Sequence, residues 1–145
     1  MDKINSLSLG EKLIGGGAVA MLVASLLDWW SVSESGFSFG ASGWDSPGSI
    51  WSILAILMSV GLAAVTVLPK LTTIAMPALP ESVTWGMVHG GGGALVIVLM
   101  LLKAWRISAF PVGGFGIGFF IAIVAAAAIA YGGYLLYSEE KKARA

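Results

Sequence analysis

Residues 85–106 read WGMVHGGGGALVIVLMLLKAWR, and this apolar stretch decides the class of fold. No Asp, Glu, Lys or Arg interrupts it before Lys103, so it approaches the roughly 20 apolar residues that a membrane-spanning helix needs. Lys103, Trp105 and Arg106 then supply the charged and aromatic side chains that are typical of a membrane interface. The stretch therefore predicts a transmembrane helix over about 83–103.

The composition of the chain is also that of a membrane protein. Its 145 residues are 57% hydrophobic and 11% charged, and its mean hydropathy is +0.90. The 8 basic and 8 acidic residues cancel, and no basic cluster could neutralise a run of phosphates. We therefore expect the lipid bilayer as a partner and no nucleic acid. Because cysteine is absent, disulfides, thiolate metal sites and cysteine nucleophiles are excluded.

Three further apolar stretches predict transmembrane helices over about 11–28, 50–68 and 115–137. No block of sequence repeats, and the connections are short enough for neighbouring helices to be antiparallel. We predict a single all-α transmembrane domain over 1–145, a four-helix up-down-up-down bundle with one extracytoplasmic loop of about 20 residues.

Small residues recur at four-residue spacing in the predicted helices, and each run predicts a face where another helix backbone approaches closely. The run in the fourth helix is the longest and is unbroken. The predicted packing positions are Gly16, Ala20, Ala24, Ala55, Ser59, Ala63, Gly86, Gly114, Gly118, Ala122, Ala126 and Ala130.

The basic residues predict the orientation of the bundle in the membrane. Six of them flank the helix ends on one side, and only Lys103 and Arg106 flank the other side. Since basic residues concentrate in cytoplasmic segments, we expect both termini to be cytoplasmic and the membrane to be the inner (plasma) membrane. The six are Lys3, Lys12, Lys70, Lys141, Lys142 and Arg144.

Local patterns predict the structure between and before the helices. Ser8 and Glu11 have the spacing of a capping box that opens the first helix. The loop over 31–49 is rich in Ser and Gly, and residues 32–39 within it are predicted to form a short hairpin.

Two connectors have apolar or glycine-rich sequences. Residues 71–79 are apolar but too few to span a bilayer, so we expect them to lie along the interface. Residues 110–118 are predicted to form a tight, glycine-rich return.

The sequence from Ser25 to Trp51, SLLDWWSVSESGFSFGASGWDSPGSIW, resembles that of small uncharacterised four-span integral membrane proteins of actinobacteria and related bacteria. In those proteins the first span ends in an LPW-like motif and is followed by a Ser/Gly-rich loop with a Trp-Asp pair. Here Asp28 stands where that family has proline, so the sharp turn that the proline imposes is not implied. The resemblance implies a four-span layout and no assigned activity.

His89 is the one histidine of the chain, and it stands beside four consecutive glycines, Gly90 to Gly93. Helical geometry places it at the edge of the face that carries Gly86 and Gly93, pointing into the bundle. An intramembrane histidine could be an axial ligand of a haem or chlorophyll. We favour a neutral imidazole that bonds to a neighbouring helix, because no second ligand stands at helical spacing. For the glycines we likewise favour close helix packing over a hinge or a slot for a flat ring or an acyl chain.

Asp28 ends the first predicted helix at the same membrane face as Lys103 and Arg106. We predict an ion pair between Asp28 and Lys103, with Arg106 as the alternative partner. The acidic residues of the following loop lack the spacing of a calcium site, so no metal site is expected.

These patterns favour a non-enzymatic protein that acts as an accessory, scaffold or assembly subunit, packing against itself or other membrane subunits. No cofactor is required for that role. The alternative is a binder of a small apolar ligand or tetrapyrrole that uses His89 with Gly90 and Gly93. A transporter is less favoured, because His89 is the one ionisable side chain expected deep in the membrane.

Overall fold

Four helices form the framework of the protein in the computed structural model, which describes residues 7–34, 37–44, 49–71, 84–109 and 113–144. They are α1 (Leu9–Ser25), α2 (Ser49–Leu71), α3 (Trp85–Ala109) and α4 (Ile117–Arg144). Three of them, α2, α3 and α4, are long and apolar enough to cross a membrane. The predicted all-α membrane class is thereby confirmed in its coarser form. Most of the predicted connector over 71–79 lies outside the described residues.

The first helix is shorter than the other three. α1 has 17 residues, which corresponds to about 26 Å at the rise of an α-helix, somewhat less than the roughly 30 Å of a bilayer's hydrocarbon core. It begins at the predicted capping box, because the Ser8 hydroxyl accepts from the Glu11 N–H and the Glu11 carboxylate accepts from the Ser8 N–H. It ends at Ser25, earlier than predicted, because the chain folds back so that the Trp29 indole donates to the Ala24 carbonyl.

Each helix packs against its two neighbours in the bundle. The most extensive contacts join α4 to α1 and to α3, and α2 packs against α1 and α3. Gly10 lies opposite Gly132, whereas Leu27 lies opposite Gly118, so α1 and α4 are antiparallel. Gly90 lies opposite Tyr137, further along α4 than the partner of Gly93, so α3 and α4 are antiparallel as well. These contacts agree with the predicted up-down-up-down order, while a fourth membrane span by α1 stays a prediction.

A small sheet covers one end of the bundle. β1 (Trp30–Glu34) and β2 (Phe37–Ala41) form an antiparallel hairpin, as the sequence predicted for residues 32–39. The short strand β3 (Gly114–Phe115) pairs with the other edge of β1, which the sequence did not predict. Gly113 precedes β3 with φ of 80°, and a Cβ there would stand 2.6 Å from the Ser31 carbonyl oxygen, so the turn requires glycine.

The two ends of the bundle therefore differ. We call the end that carries the sheet the loop end, and the end near Glu11 and Glu140 the terminal end. Side chains from all four helices fill the core between them. The largest fully buried apolar ones are Ile14, Met21, Trp29, Ile56, Val96, Met100, Ile107 and Ile129.

Candidate functional site

The four consecutive glycines of α3 have different surroundings. A Cβ on Gly92 would stand 2.7 Å from Leu62 of α2, and one on Gly93 would stand 2.9 Å from the backbone of Ala130 in α4. At Gly90 it would meet Tyr137 at 3.2 Å, whereas nothing lies within 4 Å at Gly91. Three of the glycines thus allow close approach of α2 and α4, as the packing interpretation expects, and only Gly91 faces open space.

His89 lies on the inward side of α3, between the buried positions Gly86 and Gly93. Its ring packs on the Trp85 indole, with 6.3 Å between ring centroids. The His89 Nε2 atom is buried and has no hydrogen-bond partner among the described residues. Its backbone carbonyl lies so close to Gly133 that any Cβ there would overlap it.

The N-terminus of α3 is capped from another helix. Thr84 supplies a local cap, because its hydroxyl accepts from the Met87 N–H at 3.2 Å. The Glu140 carboxylate of α4 accepts from the Gly86 N–H at 2.7 Å. A Cβ on Gly86 would stand 2.7 Å from that carboxyl group, so the predicted packing position Gly86 makes room for an acidic side chain rather than for a helix. A carboxylate is stabilised at this position by the positive end of the helix dipole.

Two apolar grooves run along the sides of α4. The α1/α4 groove has a volume of about 520 Å³, and its α1 wall is formed by Lys12, Leu13, Gly16, Gly17 and Ala20. The α3/α4 groove has a volume of about 380 Å³ and is lined by Met87, Gly90, Gly91, Ala94, Ala130, Tyr134 and Tyr137. His89 is not on the wall of the α3/α4 groove. Of the three residues of the ligand site that the sequence suggested, Gly90 lines this groove, whereas His89 and Gly93 do not.

The predicted packing face of α1 is rotated by one residue. Gly16 is exposed with nothing within 4 Å, whereas a Cβ on Gly17 would stand 2.6 Å from Ile129. The buried positions of α1 recur at spacings of three and four residues, and Ala24, a predicted packing position, is among them. They are Gly10, Glu11, Ile14, Gly17, Ala18, Met21, Ala24 and Ser25. Alternating spacings of three and four keep one face of a helix against its neighbours over several turns, so they are a better signal here than a strict spacing of four. Gly16 belongs instead to the open α1/α4 groove.

The other predicted packing residues fall mostly where helices meet. Ala55 and Ser59 of α2 are fully buried, and the Ser59 hydroxyl donates to the Ala55 carbonyl within the same helix. Ala122 and Ala126 of α4 are fully buried as well. The partly buried positions are Ala20, Ala63 and Ala130.

Gly114 and Gly118 do not belong to one helical ridge. Gly114 lies in β3, so its prediction as a helix-packing residue is wrong. The chain is extended there because it pairs with Ser31 before α4 begins. Gly118 is buried in the first turn of α4, where a Cβ would stand 2.8 Å from both Leu27 and Trp29. It therefore makes room for the turn after α1.

At the loop end, Lys103 is buried beside Trp29. Its Nζ lies 5.9 Å from the centroid of the Trp29 indole, and only 1% of the lysine surface is exposed. Asp28, the predicted ion-pair partner, is exposed, and its carboxyl group lies against Gly40 of β2. The pairing of Asp28 with Lys103 stays a prediction. Arg106, the alternative partner, lies over the ring of Trp105 at 5.5 Å.

The residues after α1 bind the loop end together. The Gly43 N–H donates to the Ser25 carbonyl at 3.1 Å, and the Trp44 indole donates to the Ser25 hydroxyl at 3.1 Å. Ser52 of α2 donates its hydroxyl to the Gly43 carbonyl. Gly116 and Gly118 donate to the Trp29 and Asp28 carbonyls. Hydrogen bonds through this segment therefore join α1, α2 and α4 at the loop end.

The described residues contain no group of three or more His, Asp or Glu side chains arranged to hold a metal ion. A scan against protein-family models gives no match, and no curated protein matches the sequence at a significant level.

Proposed function

We propose that this chain is a non-enzymatic integral membrane protein that acts as an accessory, scaffold or assembly subunit by packing its helices against itself or other membrane subunits. The observation that carries the proposal is the α1/α4 groove. Gly16 leaves open space on the α1 side of the groove, because nothing lies within 4 Å of a Cβ there. The exposed side chains of Phe120 and Val124 line the α4 side. Small residues beside large ones form the kind of surface through which helices associate in lipid.

The length of α1 supports the same proposal. No charged residue lies in α1 between Leu13 and its end at Ser25, which corresponds to about 20 Å of helix. The uncharged part of α4, from Ile117 to Ser138, corresponds to about 33 Å. A hydrophobic segment that is too short for the bilayer can be accommodated by association with another protein. A partner on the α1 side would relieve this mismatch.

In this proposal α1 crosses the membrane as well as α2, α3 and α4, so the protein has four spans. Both termini are cytoplasmic, and the protein lies in the inner (plasma) membrane. The basic residues of the sequence support that orientation. The resemblance to small four-span proteins of actinobacteria supports the layout. Asp28 and Lys103 are proposed to pair at the extracytoplasmic ends of their helices.

The proposal is tested by the size of the protein in a mild detergent, measured by native mass spectrometry. We expect the wild type to be recovered in an assembly larger than the 15.0 kDa chain. Gly16→Leu fills the α1/α4 groove and should release the free chain. Gly61→Leu is the matched control, because Gly61 is also an exposed helical glycine with nothing within 4 Å. A wild type that is monomeric throughout, or equal behaviour of both variants, contradicts the proposal.

A second candidate is the binding of a small apolar ligand in the α3/α4 groove. The groove is apolar, and nothing lies within 4 Å of a Cβ at Gly91, so there is open space beside this residue. Two tyrosines, Tyr134 and Tyr137, line one side of the groove. A flat ring or an acyl chain would fit such a surface. His89 lies outside this wall, so axial ligation of a tetrapyrrole has less support than simple apolar binding.

The second candidate is tested by extraction of the purified protein with organic solvent, followed by mass spectrometry and visible absorbance. A ligand that is retained by the wild type and by Gly61→Leu but lost from Gly91→Leu would support it. A colourless protein whose extract contains only bulk lipid would exclude it.

A further inference from the structure

A layer of polar residues crosses the bundle at its terminal end. Leu62 of α2 lies against Gly92 of α3, so Thr66, one turn further along α2, is level with His89 in the antiparallel α3. His89 lies against Gly133 of α4, and the adjacent Gly132 lies against Gly10. Glu11 is therefore in the same layer. Each helix contributes to this level of the bundle. We call the residues at this level the polar layer: Glu11, Thr66 and His89, together with Gly132 and Gly133 of α4.

Two atoms of the polar layer are buried without a hydrogen-bond partner among the described residues. They are Oγ1 of Thr66 and Nε2 of His89. Thr66 is 3% exposed, so water at the protein surface does not reach it. Buried polar groups in folded proteins are almost always paired, with protein or with an ordered water. One small guest at this level of the bundle would satisfy both atoms.

Thr66 differs from the other buried hydroxyl groups of α2. The hydroxyl groups of Ser52 and Ser59 donate to backbone carbonyls, and that of Ser59 reaches the carbonyl one turn back in its own helix. A helical threonine ordinarily has the same option. Thr66 Oγ1 makes no such bond to the described residues, so its hydrogen-bonding capacity is not used by them.

The two residues that α4 contributes to the polar layer are glycines, so they place no side chain in it. Gly132 and Gly133 bring the backbones of α1 and α3 close, but they cannot bond to a hydroxyl or an imidazole through side chains. Glu11 already accepts from the Ser8 N–H. The unpaired atoms are one hydroxyl, which can donate and accept, and one imidazole nitrogen, which can do either according to its tautomer.

We propose that the polar layer is a binding site for a small neutral hydrogen-bonding guest, a water molecule in the resting protein, held between Thr66 Oγ1 and His89 Nε2. A water bridges such a pair well, because it donates and accepts with either partner. The site lies inside the bundle and is distinct from both apolar grooves. It gives a polar function to His89 that requires no metal and no pigment.

The test uses the single histidine of the chain, since its imidazole signals need no assignment. The protein is labelled with ¹⁵N-histidine, reconstituted in lipid nanodiscs and studied by water-edited solid-state NMR. We expect magnetisation transfer from water to the His89 ring and an Nε2 chemical shift typical of a hydrogen-bonded nitrogen. Thr66→Val replaces threonine with a residue of nearly the same shape that has no hydroxyl. It should reduce the transfer from water at least several-fold and change the Nε2 chemical shift.

Two variants serve as controls. Ser59→Ala removes a buried hydroxyl that is already bonded within α2, so the His89 signals should be unchanged. Thr66→Ser keeps the hydroxyl and should preserve the water transfer, which distinguishes loss of the site from loss of packing. If wild-type His89 receives no transfer from water, or if Thr66→Val leaves the Nε2 shift unchanged, the proposal is wrong. An Nε2 shift that follows sodium or potassium concentration at constant ionic strength would overturn the neutral guest.

Discussion

The Nζ atom of Lys103 lies 5.9 Å from the centroid of the Trp29 indole, and both side chains are almost completely buried. The two residues come from different parts of the chain, since Trp29 follows α1 and Lys103 belongs to α3. A lysine near an aromatic face gains from a cation–π attraction. The indole also contacts the Phe119 ring edge-on, with 6.1 Å between centroids. Trp29 is therefore the point where α1, α3 and α4 meet at the loop end.

Trp29→Ala should destabilise the protein by about 3 to 5 kcal/mol, because it removes a fully buried indole and exposes the stem of Lys103. Thermal unfolding in detergent measures the change when it is monitored by far-UV circular dichroism, which reports helix content rather than tryptophan fluorescence. Trp105→Ala is the control, because Trp105 is 58% exposed. Equal loss of stability in the two variants would contradict the role assigned to Trp29.

The orientation of the bundle predicts the behaviour of topology reporters. A reporter fused after Ala145 should be active only in the cytoplasm, and one inserted beside Gly40 should be active only outside it, because basic residues flank the terminal end. Paired alkaline phosphatase and green fluorescent protein fusions give opposite readouts at each site. The reverse pattern at either site would contradict the predicted orientation.

Ala122→Leu should disturb the contacts of α4, because Ala122 is fully buried and a larger side chain would force its neighbours apart. We expect a loss of about 1 to 3 kcal/mol in the free energy of unfolding. Ala127→Leu on the exposed side of the same helix is the control and should leave stability near the wild-type value. If Ala122→Leu unfolds at the wild-type temperature, the packed face of α4 has been assigned incorrectly.

Glu140→Gln should weaken the cap on α3, because an amide interacts less strongly than a carboxylate with the N–H of Gly86 and with the helix dipole. The expected loss is about 0.3 to 1 kcal/mol, since the side chain is partly exposed to solvent. Hydrogen exchange at the Gly86 amide should become faster. Glu139→Gln changes the same charge at an exposed position and should leave that amide unaffected.

Features that depend on one helix were predictable from the sequence, whereas those that depend on two were not. The capping box of Ser8 and Glu11 lies within four residues, so its pattern was sufficient. The side of α1 that meets α4 depends on the crossing of both helices. For this reason a four-residue spacing selected Gly16 where the packed residue is Gly17. Gly114 was misplaced in a helix because its strand partner, Ser31, is remote in sequence.

The surroundings of His89 show the same division. Helical geometry predicted that the ring would point inward, and the buried Nε2 agrees with that. The level of Thr66 relative to His89 follows from contacts between α2 and α3, which composition and spacing do not contain. The cap that Glu140 supplies to Gly86 joins two helices in the same way. Such pairs are set by packing, and a single sequence carries no direct signal for them.

The strand β3 has a consequence for synthesis of the chain. The hairpin of β1 and β2 can form from local sequence, but the other edge of β1 stays unpaired until Gly114 and Phe115 have been made. An open strand edge can pair with another chain. A nascent or truncated chain that stops before β3 would thus present this edge to other chains.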